Sequence, residues 1–174
     1  MHLDLTTAQG AHLDPSHTYR YLLWRTWQPT APTVTFILLN PSTADAHHDD
    51  PTLRRCCHFA RTWGYGGLRL VNLFAYRATQ PRQLRAAADP VGPETDRYVQ
   101  WAATTASLAI AAWGKGGTWQ GRDRAVQTLL ATIPLYCLGY TQAGQPRHPL
   151  YLPRTTPYRP LAAPPSQRYE IQPL

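Results

Sequence analysis

The sequence predicts an α/β fold in which a mainly parallel central sheet lies between two layers of helices. Short apolar, β-branched runs alternate with segments of helical periodicity, as in sheets built from strand–helix units. The chain has 174 residues, which is enough for one domain with a buried core. Several apolar runs also end at a polar residue or a glycine, as strands do at the edge of a sheet where ligands bind.

The first half of the chain is expected to contain three strands and one helix. Aromatic–polar alternation predicts a strand over residues 18–27, and two apolar runs predict buried strands over residues 33–39 and 68–73. A helix is expected over residues 50–63, because Asp50 is a preferred N-cap residue and a proline follows it at the first helical position.

The second half is expected to continue the alternation. After a polar loop over residues 75–89, we predict a helix over 92–105, a strand over 107–113, a helix over 121–131 and a strand over 135–138. The predicted order is therefore β-β-α-β-α-β-α-β, which is typical of a mainly parallel sheet with helices on both faces.

The chain is expected to form one α/β domain over residues 18–153. Residues 1–17 are predicted to be an N-terminal lead-in, and the Pro-rich residues 154–174 an extended C-terminal segment. The N-terminus lacks a charged start followed by an apolar run, and no apolar stretch is long enough to span a membrane. We therefore expect a cytoplasmic protein with no membrane partner.

The charge of the chain favours a nucleic-acid or nucleotide partner. Seventeen Lys and Arg residues face ten Asp and Glu residues, a formal net charge of +7, and Lys115 is the only lysine. Arginine suits bidentate contact with phosphate. A high-GC genome would also produce an excess of Arg over Lys. Such a composition bias explains the positive sign of the net charge less well.

Polar breaks are expected at the strand ends at Asn40, Asn72 and Trp113-Gly114, and a fourth, His148-Pro149, follows the last predicted strand; these are candidates for a binding site. Asn40-Pro41-Ser42 follows the strand over 33–39, and the alternative is a plain turn. Asn72 interrupts an apolar run and could pair with the amide edge of a pyrimidine or the N6/N7 edge of adenine, unless it bonds neighbouring backbone. His148 could stabilise an oxyanion or carry a proton, and the alternative is a surface histidine.

Neither a metal nor a cofactor is expected. The His, Asp and Cys residues between positions 45 and 58 lack zinc spacing, and three cysteines cannot supply the four thiolates of an iron–sulfur cluster. The glycine-rich segment around Lys115 lacks the Walker spacing, so a loop after a strand is the better interpretation, although Lys115 could contact phosphate.

Six motifs together resemble one bacterial and phage family. They are FILLNPSTAD, DDPTLRRC, WGYGG, VNLFAYRAT, AAWGKGG and GQPRHPLYLP. The combination, which covers about residues 18–153, is similar to the family called domain of unknown function 1643. That family label implies no activity.

The order of the motifs also resembles the uracil-DNA glycosylase superfamily. Asn40-Pro41 matches the first motif, Asn72 the base-reading asparagine, the Trp-Gly pair at 113–114 a later strand end, and His148-Pro149 the final motif. The sequence departs from that superfamily at Leu38 and Ser42, where those enzymes have glycine, and after His148-Pro149.

The glycosylase resemblance implies roles for particular residues. Asn40 would position a water for attack on the sugar carbon, His148 would stabilise the departing base, and Asn72 would read its edge after the nucleotide is flipped out. The base-binding set would also include Pro41, Ser42, Phe74 and Tyr76. The set expected to bind phosphate or DNA is Arg77, Lys115, Arg147 and Arg154.

The expected function is therefore that of a nucleobase-binding protein, with hydrolysis of the N-glycosidic bond of a damaged or modified base as the favoured chemistry. A monomer acting on single- or double-stranded DNA, without cofactor, is expected. Two alternatives stay open: a non-catalytic nucleic-acid-binding module, and an enzyme acting on free nucleotides or nucleosides.

Overall fold

The described residues form a seven-stranded mixed sheet with four α-helices. The structure is a computed structural model that describes residues 3, 5 and 7–162. The order of the strands across the sheet is β1-β2-β4-β3-β5-β6-β7. The strands are β1 (Gln9–Leu13), β2 (Arg20–Thr26), β3 (Thr33–Leu38), β4 (Gly67–Asn72), β5 (Leu108–Ala111), β6 (Leu135–Cys137) and β7 (Arg159–Pro160).

The four central strands are parallel, and the edges of the sheet are antiparallel. β4, β3, β5 and β6 pair in parallel, whereas β1 with β2, β2 with β4 and β6 with β7 pair antiparallel. The sheet is therefore mixed, and the predicted parallel pairing is confirmed for its four central strands only. β4 lies between β2 and β3, and it pairs antiparallel with β2, with Leu23 opposite Leu70.

Two strands lie where none was predicted. β1 falls within the expected lead-in and β7 within the expected C-terminal segment. Each is short and pairs with the neighbouring strand at one edge of the sheet, so its sequence carries little periodic signal. Residues 163–174 of the predicted segment lie outside the described residues.

The first helix begins where the sequence predicts it. The helices are α1 (Pro51–Thr62), α2 (Pro81–Ala86), α3 (Thr95–Thr104) and α4 (Arg122–Leu129). Asp50 is the N-cap of α1, and its Oδ1 accepts a hydrogen bond from the Leu53 amide at 2.7 Å. This contact satisfies one of the amides that the first turn leaves free.

Two local structures differ from the expected loops. α2 lies inside the polar segment predicted to be a loop, and it starts with Pro81 after Gln80. The glycine-rich segment after β5 forms 3₁₀ turns within Gly114–Gly121, interrupted by a kink at Trp119 and Gln120, rather than an open loop.

The core is divided between the two faces of the sheet. On one face α1 contributes Leu53, Cys56 and Phe59, which pack with alternate residues of β3, β4 and β5. On the other face α3 and α4 contribute Val99 and Val126 to a second buried cluster. β3 and β4 are therefore contacted by α1 on one face and by α3 on the other, which explains their largely apolar sequences.

Within the described residues, no helix is both long and apolar enough to cross a membrane.

Removal of the Phe59 ring tests this packing. The side chain is fully buried and stacks on Trp63 with ring centroids 5.3 Å apart. We expect Phe59→Ala to lower the free energy of unfolding by about 3–5 kcal/mol, because it leaves a cavity under α1. Urea denaturation would measure the change, with the exposed Thr62→Ala on the same helix as the control, expected within about 0.5 kcal/mol of wild type. Equal effects of the two substitutions would contradict the packing.

Candidate functional site

A cleft with a volume of 740 Å³ opens at the carboxyl ends of β3 and β5. This volume lies within the range of small-molecule sites, and the place is where ligands bind in α/β sheets. The polar and charged side chains that line it include Arg20, Asn40, Ser42, Asp50, Lys115 and His148. The structure thus brings Asn40 and His148, which are far apart in sequence, to one cavity.

Asn40 is held by two backbone carbonyl groups. Its Nδ2 donates to the carbonyl oxygens of Pro41 and Ala78, both at 2.9 Å. Two carbonyl acceptors fix the orientation of the amide and use both hydrogens of Nδ2. Among the described residues no donor contacts Oδ1, so this oxygen is available to accept from a water or a ligand in the cleft. Pro41 itself is buried and serves as one of the two anchors.

His148 is held with one defined ring nitrogen. It follows β6 and caps the 3₁₀ helix Pro149–Tyr151, and its Nδ1 accepts from the Leu150 amide at 3.3 Å. The hydrogen of a neutral ring must therefore lie on Nε2. Burial lowers the pKa of His148, and the charge of Asp50 opposes this effect by less. The ring is thus neutral at pH 7 and can donate from Nε2.

Asp50 also lines the cleft, although its sequence position indicated only an N-cap. Oδ1 caps α1, as described above, and this leaves Oδ2 as a second acceptor on the same carboxylate. Asp50 shares the cleft with His148 and Arg20, and its charge partly opposes the lowering of the pKa of both groups by burial. Its double role could not be recognised before the fold was known.

Arg20 and Asn72 form a buried polar pair beside the cleft. Arg20 lines the cleft but is only 3% exposed, and it donates to the Ala44 carbonyl at 2.7 Å and to Asn72 Oδ1 at 3.4 Å. Asn72 is equally buried and does not line the cleft directly. The expected donor–acceptor face of Asn72 is therefore partly used inside the protein.

The aromatic side chains in the cleft are not those that the sequence indicated. Trp113, Trp119 and Tyr151 line the cleft, and Tyr151 is 85% exposed at its mouth. Phe74 is fully buried and does not line it, and its ring packs on Trp119 with centroids 4.8 Å apart. A base that stacks in this cleft would therefore contact a tryptophan or Tyr151 rather than Phe74.

A chain of side-chain hydrogen bonds ties the segment before His148 to the end of β5. Trp113 Nε1 donates to Gln145 Oε1 at 2.8 Å, and Gln145 Nε2 donates to Asp123 at 3.0 Å. Asp123 is buried near the N-terminus of α4. The backbone repeats this connection, because the Gly114 amide donates to the Pro146 carbonyl at 2.8 Å. His148 is therefore carried on a segment with fixed geometry.

Two predicted residues line a neighbouring hollow instead. Tyr76 and Arg77 border a hollow of 440 Å³ that shares Ser42 with the main cleft. Arg77 donates to the His17 carbonyl at 3.2 Å, and its buried Nε has no partner. The two cavities adjoin, so these residues lie at the side of the candidate site rather than in it.

The predicted phosphate-binding residues separate into two groups. Lys115 lines the cleft and is exposed, and Arg85, which the sequence did not single out, lies with it at the cleft. Arg147 and Arg154 are exposed, but neither lines the cleft. Within the described ranges, no group of three or more His, Cys, Asp or Glu side chains is arranged to hold a metal ion.

We expect His148 to titrate below the ordinary histidine pKa of 6.5. Below that value the unfolded chain takes up a proton that folded His148 does not, so the free energy of unfolding falls as the pH drops. NMR titration of the ring protons would measure the pKa. His148→Gln should weaken the pH dependence of stability between pH 7 and 5, although half-buried His12, whose pKa is also lowered, retains part of it.

The control is His47→Gln, since His47 is exposed and outside the cleft. A His148→Gln variant with the full wild-type pH dependence would contradict the burial of a neutral ring.

Comparison with known proteins assigns the chain to one family. The family described as "Protein of unknown function (DUF1643)" matches residues 20–150, which confirms the first of the two resemblances. No curated protein and no solved structure matches the chain. Because the match covers well over half of the 174 residues, the protein belongs to the DUF1643 family.

Proposed function

We propose that the cleft binds a nucleobase extruded from DNA and hydrolyses its N-glycosidic bond. The observation that carries this proposal is the presence of Asn40 and His148 in one cavity, one with a free amide oxygen and the other with a free Nε2 hydrogen. The helices on both faces of the sheet support the further proposal of a three-layer arrangement like that of the uracil-DNA glycosylase superfamily.

Asn40 is proposed to orient the attacking water. Its Nδ2 is anchored to backbone, so Oδ1 presents a fixed acceptor to the water. An amide oxygen is too weak a base to remove the proton, so the base departs with the bonding electrons before the water oxygen bonds to the sugar carbon. Asp50 lines the same cleft, and its carboxylate is proposed to take up the released proton.

His148 is proposed to stabilise the departing base. A base that leaves with the bonding electrons carries negative charge, and a neutral imidazole with hydrogen on Nε2 can donate to it. The ring is preorganised by the Leu150 amide and by the tied segment before it. The donor is therefore in place before the charge develops.

The cleft walls suit a flat heterocycle. Leu39, Leu84, Trp113 and Trp119 line the cavity with apolar and aromatic surface. Such walls exclude water, and electrostatic contacts with the base become stronger in the lower dielectric. Tyr151 at the mouth offers an additional stacking surface.

The decisive experiment is a glycosylase assay. Purified protein would be incubated with labelled single- and double-stranded oligonucleotides that contain uracil, hypoxanthine, xanthine or a thymine mismatch. We expect abasic product from wild type, about 10²–10³-fold less with His148→Ala, and at least about 10²-fold less with Asn40→Ala. His47→Ala, exposed and outside the cleft, is the matched control and should retain wild-type activity. No product on any substrate would remove base excision as the function.

The second candidate is nucleic-acid binding without cleavage. The side chains of Leu38 and Ser42 line the cleft at the two positions where the resembled enzymes have glycine, and they occupy space close to the proposed nucleotide. Salt-dependent DNA binding without abasic product would favour this function. Binding of mononucleotides but not of DNA would instead favour an enzyme of free nucleotides.

We expect the exposed cations at the cleft to contribute to DNA affinity. In the double variant Arg85→Ala/Lys115→Ala, the slope of log K against log salt concentration should become less steep by about 2, since each phosphate contact contributes about 0.9. Fluorescence anisotropy at several salt concentrations would measure it. The double variant Arg97→Ala/Arg124→Ala removes the same charge from exposed positions outside the cleft and should change the slope less. Equal slopes in the two double variants would exclude the cleft as the DNA-binding face.

A further inference from the structure

Arg20 differs from the other buried arginines of the described chain. Arg25 pairs with Asp49 at 2.7 Å and Arg122 with Asp96 at 2.6 Å, whereas Arg20 has no carboxylate within hydrogen-bonding distance. A buried charge is costly unless it is paired. Of the three arginines, only Arg20 lines the cleft. A ligand bound there could therefore offset the desolvation cost of its buried charge.

Two buried donors of this pair have no acceptor. Arg20 Nε and Asn72 Nδ2 are both shielded from solvent and form no hydrogen bond. Their mutual contact, from Arg20 Nη2 to Asn72 Oδ1, is 3.4 Å and thus longer than an ordinary hydrogen bond. A small rotation of the Arg20 side chain toward the cleft would exchange this weak contact for a stronger one to a ligand.

The remaining hydrogen-bonding capacity of the pair consists of donors. Asn72 Oδ1, the only acceptor in the pair, already faces the guanidinium of Arg20. The N6/N7 edge of adenine requires an acceptor as well as a donor, and so does the imide of uracil. A group with adjacent acceptors and no donor is the complementary partner.

We propose that Arg20, which lines the cleft with Asn72 behind it, forms a subsite for a group that carries only hydrogen-bond acceptors. The O6/N7 edge of a 6-oxopurine has this chemistry, and so does a phosphoryl group. A 6-oxopurine occupant rests on the proposed function, since that occupant would be the extruded base. A phosphoryl occupant does not depend on the proposed function.

The subsite is tested by NMR with wild-type protein and three probes. Inosine supplies the 6-oxopurine edge, adenosine replaces its O6 by an amino group, and inorganic phosphate supplies the phosphoryl group. We expect inosine, phosphate or both to shift the ¹⁵N–¹H signal of Arg20 Nε, and adenosine to leave it unchanged. A response to inosine alone assigns the base edge, and a response to phosphate alone assigns the phosphoryl group. No shift with either, or an equal shift with adenosine, would overturn the subsite.

Variants of Arg20 provide the second measurement. Arg20→Met and Arg20→Lys should bind the responding probe at least tenfold more weakly by calorimetry. Arg25→Lys is the matched control, because Arg25 lies on the same strand and is similarly buried but is paired with Asp49 outside the cleft, and its affinity should stay within twofold of wild type. Wild-type affinity in both Arg20 variants would overturn the proposal.

The binding test also separates this subsite from the catalytic proposal. Probe binding through Arg20 in a protein that forms no abasic product keeps the subsite and rejects base excision. Abasic product formed equally well by wild type and Arg20→Met from a hypoxanthine oligonucleotide keeps base excision and rejects the extruded 6-oxopurine as the occupant of the subsite.

Discussion

The parallel pairing of β4, β3, β5 and β6 is the constraint on which the site depends. Parallel strands place their carboxyl ends at one edge, where the backbone ladder stops and polar groups need other partners. Asn40 meets that need with its own amide, which bonds two carbonyl groups of the loops beyond the strands. Because these hydrogen bonds use the Nδ2 hydrogens of Asn40, they leave its Oδ1 available to accept a hydrogen bond in the cleft.

The cleft combines charges of both signs with a neutral histidine. Arg20 keeps its proton at neutral pH although burial lowers its pKa to about 10, and Asp50 lies near enough to influence both Arg20 and His148. His148 loses its proton because burial outweighs the attraction of Asp50. Burial therefore changes the charge of His148 but not that of Arg20 at neutral pH.

Local signals in the sequence predicted the helix that begins after Asp50, the polar residue Asn40 after β3 and the candidate His148 after the last strand. Helix caps and breaks in apolar runs depend on neighbouring residues, so they can be recognised before the fold is known. The edge strands β1 and β7 were missed because each is short and its sequence carries little periodic signal. Arg20 and Trp119 were missed as site residues because segments distant in sequence bring them to the cleft. An arginine in a strand and a tryptophan in a glycine-rich segment give no sign of a shared cavity until the chain is folded.

The short last strand also affects how the sheet meets other molecules. The Leu161 amide bonds inward to Leu135, so by alternation the backbone of Pro160 faces outward from β7. Proline has no N–H, and the outward edge therefore lacks the donor that an added strand would need. A strand of only two residues, one of them proline, therefore makes this edge of the sheet a poor template for edge-to-edge aggregation.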